Sequence, residues 1–395
     1  MADKHAPRTK TTFPNLDISD LPPPPPGIKV ISYADDITIY ASASSPSSLY
    51  PSLNSYLDSL YLFLSSKQLI ISSSKSTVTL FTPDTHEAIV HPQIFINNSL
   101  LPLARHPKIL GVTFDTMFTF NEHAKIVAKK MQQRNNTLKA LCGTTWGQSK
   151  ETLTTTYNSY IRSLSTYAAP VWTPNLKPTN FNRLQIAQNS ALRTITGCHR
   201  ITPILHLHQE CQSLTIKDHN HLLTDQYLLS CHDPLHVSHS LSRPPNPPRQ
   251  MKHSLFSFSS NRVNQFSLSL PPNSSLSNSL GSYHTHFVSL AVSSLPSSPV
   301  LGAPPPPIHP SEQLLPRHSR VRLAQLRSGH CSLLQSFQHT IDNSIPDICP
   351  HCNSHDHSVP HLFTCQTLNL QLPLESLWTD PVSAVSALRS AGYEL

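Results

Sequence analysis

The chain has 395 residues, of which only 13% are charged, and its formal net charge is +7. This weakly basic balance is compatible with a polyanionic partner but does not require one. The polar start of the chain and the lack of any long apolar run exclude a secretory leader and a membrane-spanning helix, so we expect an intracellular protein, cytoplasmic or nuclear, that makes no contact with membranes.

The first predicted element is a β-hairpin. Residues 1–27 are rich in proline and end in a stiff run of five prolines, which cannot form a helix or a central strand. IKVISY (28–33) and ITIYA (37–41) then alternate apolar and polar side chains on either side of an Ala-Asp-Asp sequence. Neighbouring like charges repel, so Asp35 and Asp36 form either a solvated turn or part of a metal site whose cation cancels the repulsion.

Short elements of mixed type follow the hairpin. Leucines at helical spacing predict an amphipathic helix over 47–65. Strands are predicted at 68–72, 77–82, 93–97 and 109–115. Strands and a helix in this order predict an α+β fold in which one face of a sheet is covered.

The chain becomes helical beyond residue 120. Apolar stripes predict three helices: one begins near His123, one follows an N-cap at Ser149, and one ends at Gly197. Residues 235–316 are rich in Ser, Pro and Asn, and we expect a mostly disordered linker there. A basic amphipathic helix is predicted within 317–337.

A cluster of cysteine and histidine, CPHCNSHDHSVPHLFTC, occupies 349–365. Cys349 and Cys352 form C-x2-C, and His361 and Cys365 form H-x3-C, a spacing that suits tetrahedral Zn²⁺. All four positions are filled by protein ligands, so we expect a structural zinc site and not a catalytic one.

Two alternatives to this ligand set stay open. His351, His355 and His357 lie within the same stretch and are alternative ligands. With 24 histidines in the chain, a chance cluster is the other alternative.

Four arginines precede the cluster. Arg317, Arg320, Arg322 and Arg327 predict either a phosphate-binding face for nucleic acid or only a solvated basic face.

Several motifs in chain order resemble one enzyme family. They are YADD (33–36), SSSKSTVTLF (72–81), KILGVTFD (108–115), YAAPVW (167–172) and LAQLRSGH (323–330), the last followed by the Cys/His cluster. Together they resemble the reverse transcriptases (RNA-directed DNA polymerases) of non-LTR retrotransposons of the jockey-like kind. The resemblance covers roughly 20–230 and 317–366.

The resemblance implies a division of the chain. It implies a partial palm with the hairpin and a primer-grip-like strand over 28–120, a helical thumb-like region over 121–234, and a tail with a basic helix and a CCHC zinc knuckle over 317–395. It also implies an RNA template and a DNA primer as partners, whereas no protein partner is evident.

The resemblance further implies roles for individual residues. Asp35 would be the principal Mg²⁺ ligand and Asp36 the weaker one, because nucleotidyl transfer uses two divalent cations held by carboxylates. Lys75 would assist the departing pyrophosphate. Tyr33 and Ala34 would shape the turn near the primer end, and Leu110 and Gly111 would position the primer backbone.

One part of the polymerase site has no counterpart in the sequence. The family requires a further aspartate from an upstream strand, and only 32 residues precede Tyr33, with Asp17 and Asp20 beside the proline run. We therefore expect a C-terminal fragment of such an enzyme that is inactive alone. The alternatives are a non-enzymatic nucleic-acid-binding protein that uses the thumb and the zinc tail, and a relic without a role.

Overall fold

The computed structural model describes residues 21–34, 36–82, 84, 86–231, 233–239, 261–266, 275–293 and 297–395. The chain divides into two compact units, an N-terminal unit over Met1–Phe118 and a C-terminal unit over Thr119–Leu395. Helices predominate, and the strands are short and antiparallel. This combination agrees with the predicted α+β class.

The N-terminal unit contains six strands and a single long helix among its described residues. In chain order they are β1 (Ile28–Tyr33), β2 (Asp36–Ala41), α1 (Tyr50–Ser66), β3 (Phe95–Ile96), β4 (Ser99–Leu100), β5 (Lys108–Ile109) and β6 (Val112–Thr113).

The predicted β1–β2 hairpin forms. The strands pair antiparallel from Ile28 opposite Ala41 to Tyr33 opposite Asp36. Two residues therefore make the turn, and the first of them, Ala34, has a φ of 54°. Left-handed φ values are typical of tight two-residue turns between strands. The second turn residue, Asp35, lies outside the described residues.

Helix α1 supplies much of the core of this unit. Leu57, Leu60 and Leu64 lie on its buried face, as the leucine spacing predicts. Leu57 packs in one cluster with Ile94, Ile96 and Leu101, while Leu60 and Leu64 pack with Leu21 and with hairpin side chains. The hairpin is thereby anchored to α1 by one of its faces.

The prediction that the strands form one sheet covered on one face is wrong. The described strands form three separate two-stranded ladders, and the stretch 68–72 contains no strand. Gln68 takes a φ of 60° just after α1, and the amides of Lys75 and Ser76 both donate to the carbonyl of Ser72. Local turns thus take the backbone hydrogen bonds that a wider sheet would need. Only the bridge Val78–Leu103 remains in the region predicted as the strand 77–82.

The C-terminal unit is helical. Its α-helices are α2 (Asn121–Leu141), α3 (Lys150–Thr156), α4 (Ser163–Thr166), α5 (Ala169–Trp172), α6 (Pro178–Thr196), α7 (Ile204–Glu210), α8 (Ile216–Ser230), α9 (Leu276–Ser293), α10 (Arg317–Arg327), α11 (Gln335–Ile341), α12 (Val359–Thr364), α13 (Ser376–Thr379) and α14 (Pro381–Ser390). A π-helical turn, Tyr157–Arg162, joins α3 to α4, and a 3-10 helix covers Pro310–Leu314.

Two of the predicted helices and both predicted helix ends agree with the structure. The apolar stripes of α2 and α6 are buried, and Asn135 on α2 donates to the carbonyl of Ala187 on α6 at 2.8 Å. Ser149 caps α3 by accepting from the amide of Thr152. Gly197 ends α6 with a φ of 70°, and a Cβ there would lie 2.6 Å from Val321. Glycine is therefore required at this position for both backbone and space.

The middle helix departs from its predicted apolar stripe, which comprised Leu153, Tyr157, Tyr160, Ile161, Leu164 and Tyr167. Tyr157 and Ile161 are buried, but Tyr160 and Tyr167 are 43% and 56% exposed. A π-helical turn carries more residues than an α-helical turn, so it changes which side chains follow on one face. This shift accounts for the two exposed tyrosines.

Two ordered segments lie within the range predicted as a mostly disordered linker. Helix α9 packs on α8, where buried Asp225 accepts from the hydroxyl of Tyr283 and pairs with Arg262. Residues 297–316 contribute Val300 and Ile308 to the C-terminal core. Isolated apolar side chains between the prolines thus anchor residues 297–316 to the core of the C-terminal unit.

Candidate functional site

The predicted zinc ligands converge. The ligand atoms of Cys349, Cys352, His361 and Cys365 all lie within 4.8 Å of one another. Zn–S bonds of about 2.3 Å in a tetrahedron imply sulfur atoms roughly 3.8 Å apart. Three thiols and one imidazole at this separation fit a structural zinc ion.

A tight knuckle positions the first two cysteines. The amide of Cys349 donates to the carbonyl of His355 at 2.8 Å, and the amide of Asn353 donates to the carbonyl of Cys349 at 2.9 Å. Asn353 has a φ of 53°, which Asn tolerates better than most residues. These bonds turn the chain so that Cys352 comes back beside Cys349.

A short helix positions the second pair. His361 lies on α12 and Cys365 follows its last residue, with the amide of Cys365 donating to the carbonyl of His361 at 2.8 Å. Val359 and Leu362 of the same helix are buried in the C-terminal core. The ligand pair is thus fixed by apolar packing of the helix that carries it.

The local electrostatics favour a thiolate at one of the cysteines. Hydrogen bonds from Ser354, and smaller contributions from His355 and His361, lower the pKa of Cys352 to about 5 although desolvation opposes the change. Its Sγ lies 3.2 Å from Nε2 of His361. Burial instead raises the pKa of Cys349. Zinc binds the thiolate form, so Cys352 is already suited to ligation.

The three alternative histidines have other contacts. His351 and His357 contact the hydroxyl of Tyr393 at 3.0 and 2.8 Å, and His357 also accepts from the amide of Gln335. The ring of His355 stacks on that of His361 at 5.1 Å. None of the three belongs to the cluster of converging ligand atoms. The sequence did not point to Tyr393, because nothing local marks a tyrosine so near the chain end.

The residues assigned by resemblance to the polymerase site lie at turns of the N-terminal unit. Tyr33, Ala34 and Asp36 are exposed at the hairpin tip, whereas Asp35 lies outside the described residues. Lys75 is exposed in a turn, and no ion pair links it to Asp36 in the described structure.

Leu110 and Gly111 form the tip of the β5–β6 hairpin, with φ values of 45° and 85°. Among the described residues, the Cys/His cluster is the one group of three or more metal-ligating side chains, and Asp36 does not belong to it.

Two of the four predicted phosphate-binding arginines are buried in ion pairs. Arg327 donates to Glu210 at 2.9 Å and also pairs with Glu312. Arg320 pairs with Glu151, and its side chain is 6% exposed. Carboxylates of the same chain occupy donors of both guanidinium groups, whereas the sequence predicted either a phosphate-binding face or a solvated basic face.

The other two arginines also have partners within the chain. Arg317 donates to the carbonyls of Gly143, Thr194 and Ile195. Arg322 donates to Gln325 and Ser332. Helix α10 is therefore attached to the fold through its basic side chains.

The acidic residues that pair with α10 were not evident from the sequence. Glu210 and Glu312 are both 2% exposed, and Lys150 lies between them at 3.0 and 2.7 Å. Burial alone would raise the pKa of Glu210, but Arg327 and Lys150 hold it below its usual range. One signal could have revealed the pairing: Glu210 is an acid at the end of the apolar and His-rich stretch 204–210. A carboxylate that is buried in such a stretch needs a cationic partner.

The chain has a relative among proteins of known origin. It is 27% identical over 229 residues to the probable RNA-directed DNA polymerase from transposon BS of Drosophila melanogaster. The matched region is 57% of this chain and 25% of the Drosophila protein, so the chain spans about a quarter of its relative. The chain is related to a retrotransposon reverse transcriptase.

The other comparisons add no second relationship. No protein-family profile matches the chain, and no solved structure matches it. Among the described helices, none is long and apolar enough to cross a lipid bilayer. The relationship to reverse transcriptases therefore rests on the Drosophila polymerase together with the motifs in the sequence.

Proposed function

We propose that this chain is part of the RNA-directed DNA polymerase of a non-LTR retrotransposable element. The similarity to the Drosophila polymerase over 229 residues carries the proposal. The proposal divides the chain into a partial palm at 28–120, a thumb-like region at 121–234 and a zinc-knuckle tail at 317–395. An RNA template and a DNA primer are the partners it implies.

The hairpin tip supports the assignment of the palm. A two-residue turn between paired strands holds Ala34 and Asp36 exposed, which is a rigid place to mount carboxylates for Mg²⁺. In the proposal Asp35 and Asp36 bind Mg²⁺ and Lys75 acts on the leaving pyrophosphate. Leu110 and Gly111, at an exposed hairpin tip, contact the primer backbone.

We further propose that the 395-residue chain does not extend a primer alone. Two adjacent carboxylates cannot give two Mg²⁺ ions near-octahedral ligand sets. Among the described residues, no third carboxylate or other ligand groups with Asp36. The polymerase site is therefore incomplete among the residues that the structure describes.

Primer extension tests both statements. The full chain would be incubated with labelled dNTPs, Mg²⁺ and a DNA primer annealed to an RNA template. We expect no incorporation by the chain alone, together with binding of the template–primer duplex. Incorporation that disappears in Asp35→Ala would contradict the inactivity, and a chain that shows no affinity for the duplex would contradict the polymerase assignment.

The proposed role of zinc is structural. Four protein ligands leave no open coordination position for a water or a substrate, so the ion would hold the knuckle and α12 together. Val359 and Leu362 pack in the C-terminal core and thereby attach the knuckle to it.

The second candidate function is nucleic-acid binding without catalysis. Exposed lysines on α2, Lys129, Lys130 and Lys139, lie away from its buried stripe, and the chain carries a net charge of +7. Such a face attracts phosphates with an affinity that falls as salt rises. Fluorescence anisotropy of a labelled single-stranded oligonucleotide tests this, and affinity that does not change with salt would contradict it.

A further inference from the structure

The C-terminal unit contains a large cavity that the proposed zinc and polymerase sites do not use. Its volume is about 1380 Å³, and its wall includes residues of α7, α8 and α9, the π-helical turn and the segment before Pro310. Pockets for small ligands are typically about 300–1,000 Å³. The size of this cavity therefore suits a segment of a polymer better than a single small molecule.

One wall carries a cation without an internal partner. Arg162, the last residue of the π-helical turn, is partly buried and lines the cavity. Within the described part of the chain its guanidinium makes no hydrogen bond and no ion pair, unlike Arg262 on the same wall, which pairs with Asp225. A guanidinium that is partly removed from water and has no acceptor is a ready site for an anion.

Two histidines also line the cavity, His219 on α8 and His284 on α9. Burial, Arg162 and His284 together lower the pKa of His219 to about 4, so its ring is neutral at neutral pH. His284 is exposed. Burial also lowers the pKa of Arg162, and no carboxylate counteracts it. Asp218 and Glu210 also line the cavity, but Asp218 accepts from the hydroxyl of Thr215 and Glu210 pairs with Lys150 and Arg327.

A neighbouring residue lacks a hydrogen-bond donor. Asn158 lies one turn before Arg162, also lines the cavity, and its Oδ1 is buried with no donor in the described structure. A phosphate diester has no proton to give to this oxygen, whereas a ribose 2′-hydroxyl beside that phosphate does. π-helical turns are frequent at functional sites, and this one presents both Asn158 and Arg162.

Part of the cavity lining is apolar. Phe266, Phe287 and Trp378 line the cavity together with a run of prolines at 304–307. Aromatic rings are the surfaces on which unpaired bases stack in proteins that bind single strands. A cavity lined by both a guanidinium and aromatic rings suits a ligand that carries both phosphates and bases.

We propose that this cavity binds single-stranded RNA, with a backbone phosphate on Arg162 and a ribose hydroxyl on Asn158. The proposal rests on the second candidate function, nucleic-acid binding, and adds its site and its ligand. It places the contacts in the C-terminal unit, away from the exposed lysines of α2 and from the Cys/His cluster.

The test uses the full chain and a labelled single-stranded RNA of about 12 nucleotides, in the range of known site sizes. Arg162→Gln should weaken binding about fivefold to tenfold. It should also reduce the slope of log affinity against log salt concentration by about one, as expected for the loss of one phosphate contact. Arg183→Gln is the matched control, because it removes the same charge from an exposed position on α6 outside the cavity. It should stay within about twofold of wild type.

Two further variants help to distinguish a loss of RNA binding from a loss of folding. His284→Glu changes an exposed residue and adds a carboxylate to the lining of the cavity, so it should repel a phosphate there and weaken binding as Arg162→Gln does. Asn158→Ala should lower the preference for RNA over DNA of the same sequence. The thermal unfolding midpoints of all variants are compared with that of the wild type.

The outcomes separate this site from the general function. Loss of RNA affinity in Arg162→Gln and His284→Glu, with Arg183→Gln unaffected, supports the site. Wild-type binding that neither cavity variant changes overturns the site while nucleic-acid binding stands. A wild type that binds no oligonucleotide overturns both. Equal affinity for RNA and DNA overturns the ribose contact on Asn158.

Discussion

Arg327 and Glu210 are 117 positions apart in the sequence and form a buried ion pair, with Nη1 of the arginine 2.9 Å from Oε1 of the glutamate. The guanidinium also donates to the carbonyl of Leu377 and pairs with Glu312. One side chain of α10 thereby joins α7, the 3-10 helix and α13. The helix that leads toward the zinc knuckle is attached to the preceding helices by charge as well as by apolar packing.

Removing Arg327 should destabilise the C-terminal unit strongly. Arg327→Gln leaves two buried glutamates with Lys150 and, for Glu312, Arg320 as their remaining cations, and breaking a buried ion pair from one side costs about 3–5 kcal/mol. Urea unfolding followed by the fluorescence of buried Trp172 and Trp378 measures the loss. Arg183→Gln changes an exposed arginine that forms no ion pair with the described residues, and it should change stability by less than about 0.5 kcal/mol. Equal midpoints for the two variants would show that the network contributes little.

Acid should weaken the same unit through its carboxylates. The hydrogen bond from Arg320 is the largest cause that lowers the pKa of Glu151, from 4.5 to about 2. Because the folded-state pKa is below the unfolded value, this carboxylate stabilises the fold fully above about pH 4.5, and its contribution is lost as pH falls toward about 2.

The pH experiment compares Glu151→Gln with the wild type. The variant should be less stable at neutral pH, and the gap between the two urea midpoints should close as the pH falls through that window. Making the comparison in a Cys352→Ser background removes the pH dependence that release of zinc would add. A difference between the two urea midpoints that stays constant with pH would argue against a stabilising Glu151–Arg320 ion pair.

The elements predicted well are those whose signal is local. The leucine stripe of α1, the Ser149 cap, the Gly197 helix end and the Cys/His spacing each depend on residues within a few turns of one another. Periodicity and capping act on neighbours, so the sequence alone is enough to predict them.

The features missed depend on distant partners. Arginine is usually exposed, so a basic helix predicts a solvated face unless the acids opposite it are known, and Glu210 lies 117 positions before Arg327. Strand pairing has the same difficulty: 68–72 has the composition of a strand, yet turns on either side leave it without a partner strand. The π-helical turn at Tyr157–Arg162 carries no local signature either, and it determines which residues face the cavity.

The β1–β2 hairpin should exchange its amide hydrogens faster than α6. The hairpin is an isolated two-stranded ladder with Ile31 and Tyr33 more than half exposed, whereas α6 buries ten side chains. Two-stranded ladders are marginally stable, and open strand edges exchange readily with water. Hydrogen exchange read by mass spectrometry compares residues 28–41 with 178–196, and stronger protection in the hairpin would contradict the expectation.

The zinc site should take up one ion per chain and stabilise the tail around it. Ligation supplies on the order of 10 kcal/mol in zinc-finger peptides, so a chelator should increase hydrogen exchange over 349–365 while leaving α2 and α6 nearly unchanged. Cys352→Ser removes one of the four converging ligand atoms and should abolish stoichiometric uptake. His355→Ala is the matched control, because His355 stacks on His361 without joining the ligand cluster, and it should retain the ion. Metal content measured on the full chain decides between the two histidines. If wild type takes up no zinc at micromolar concentration, the cluster is a chance one, and if His355→Ala loses the ion as Cys352→Ser does, His355 is a ligand in place of His361.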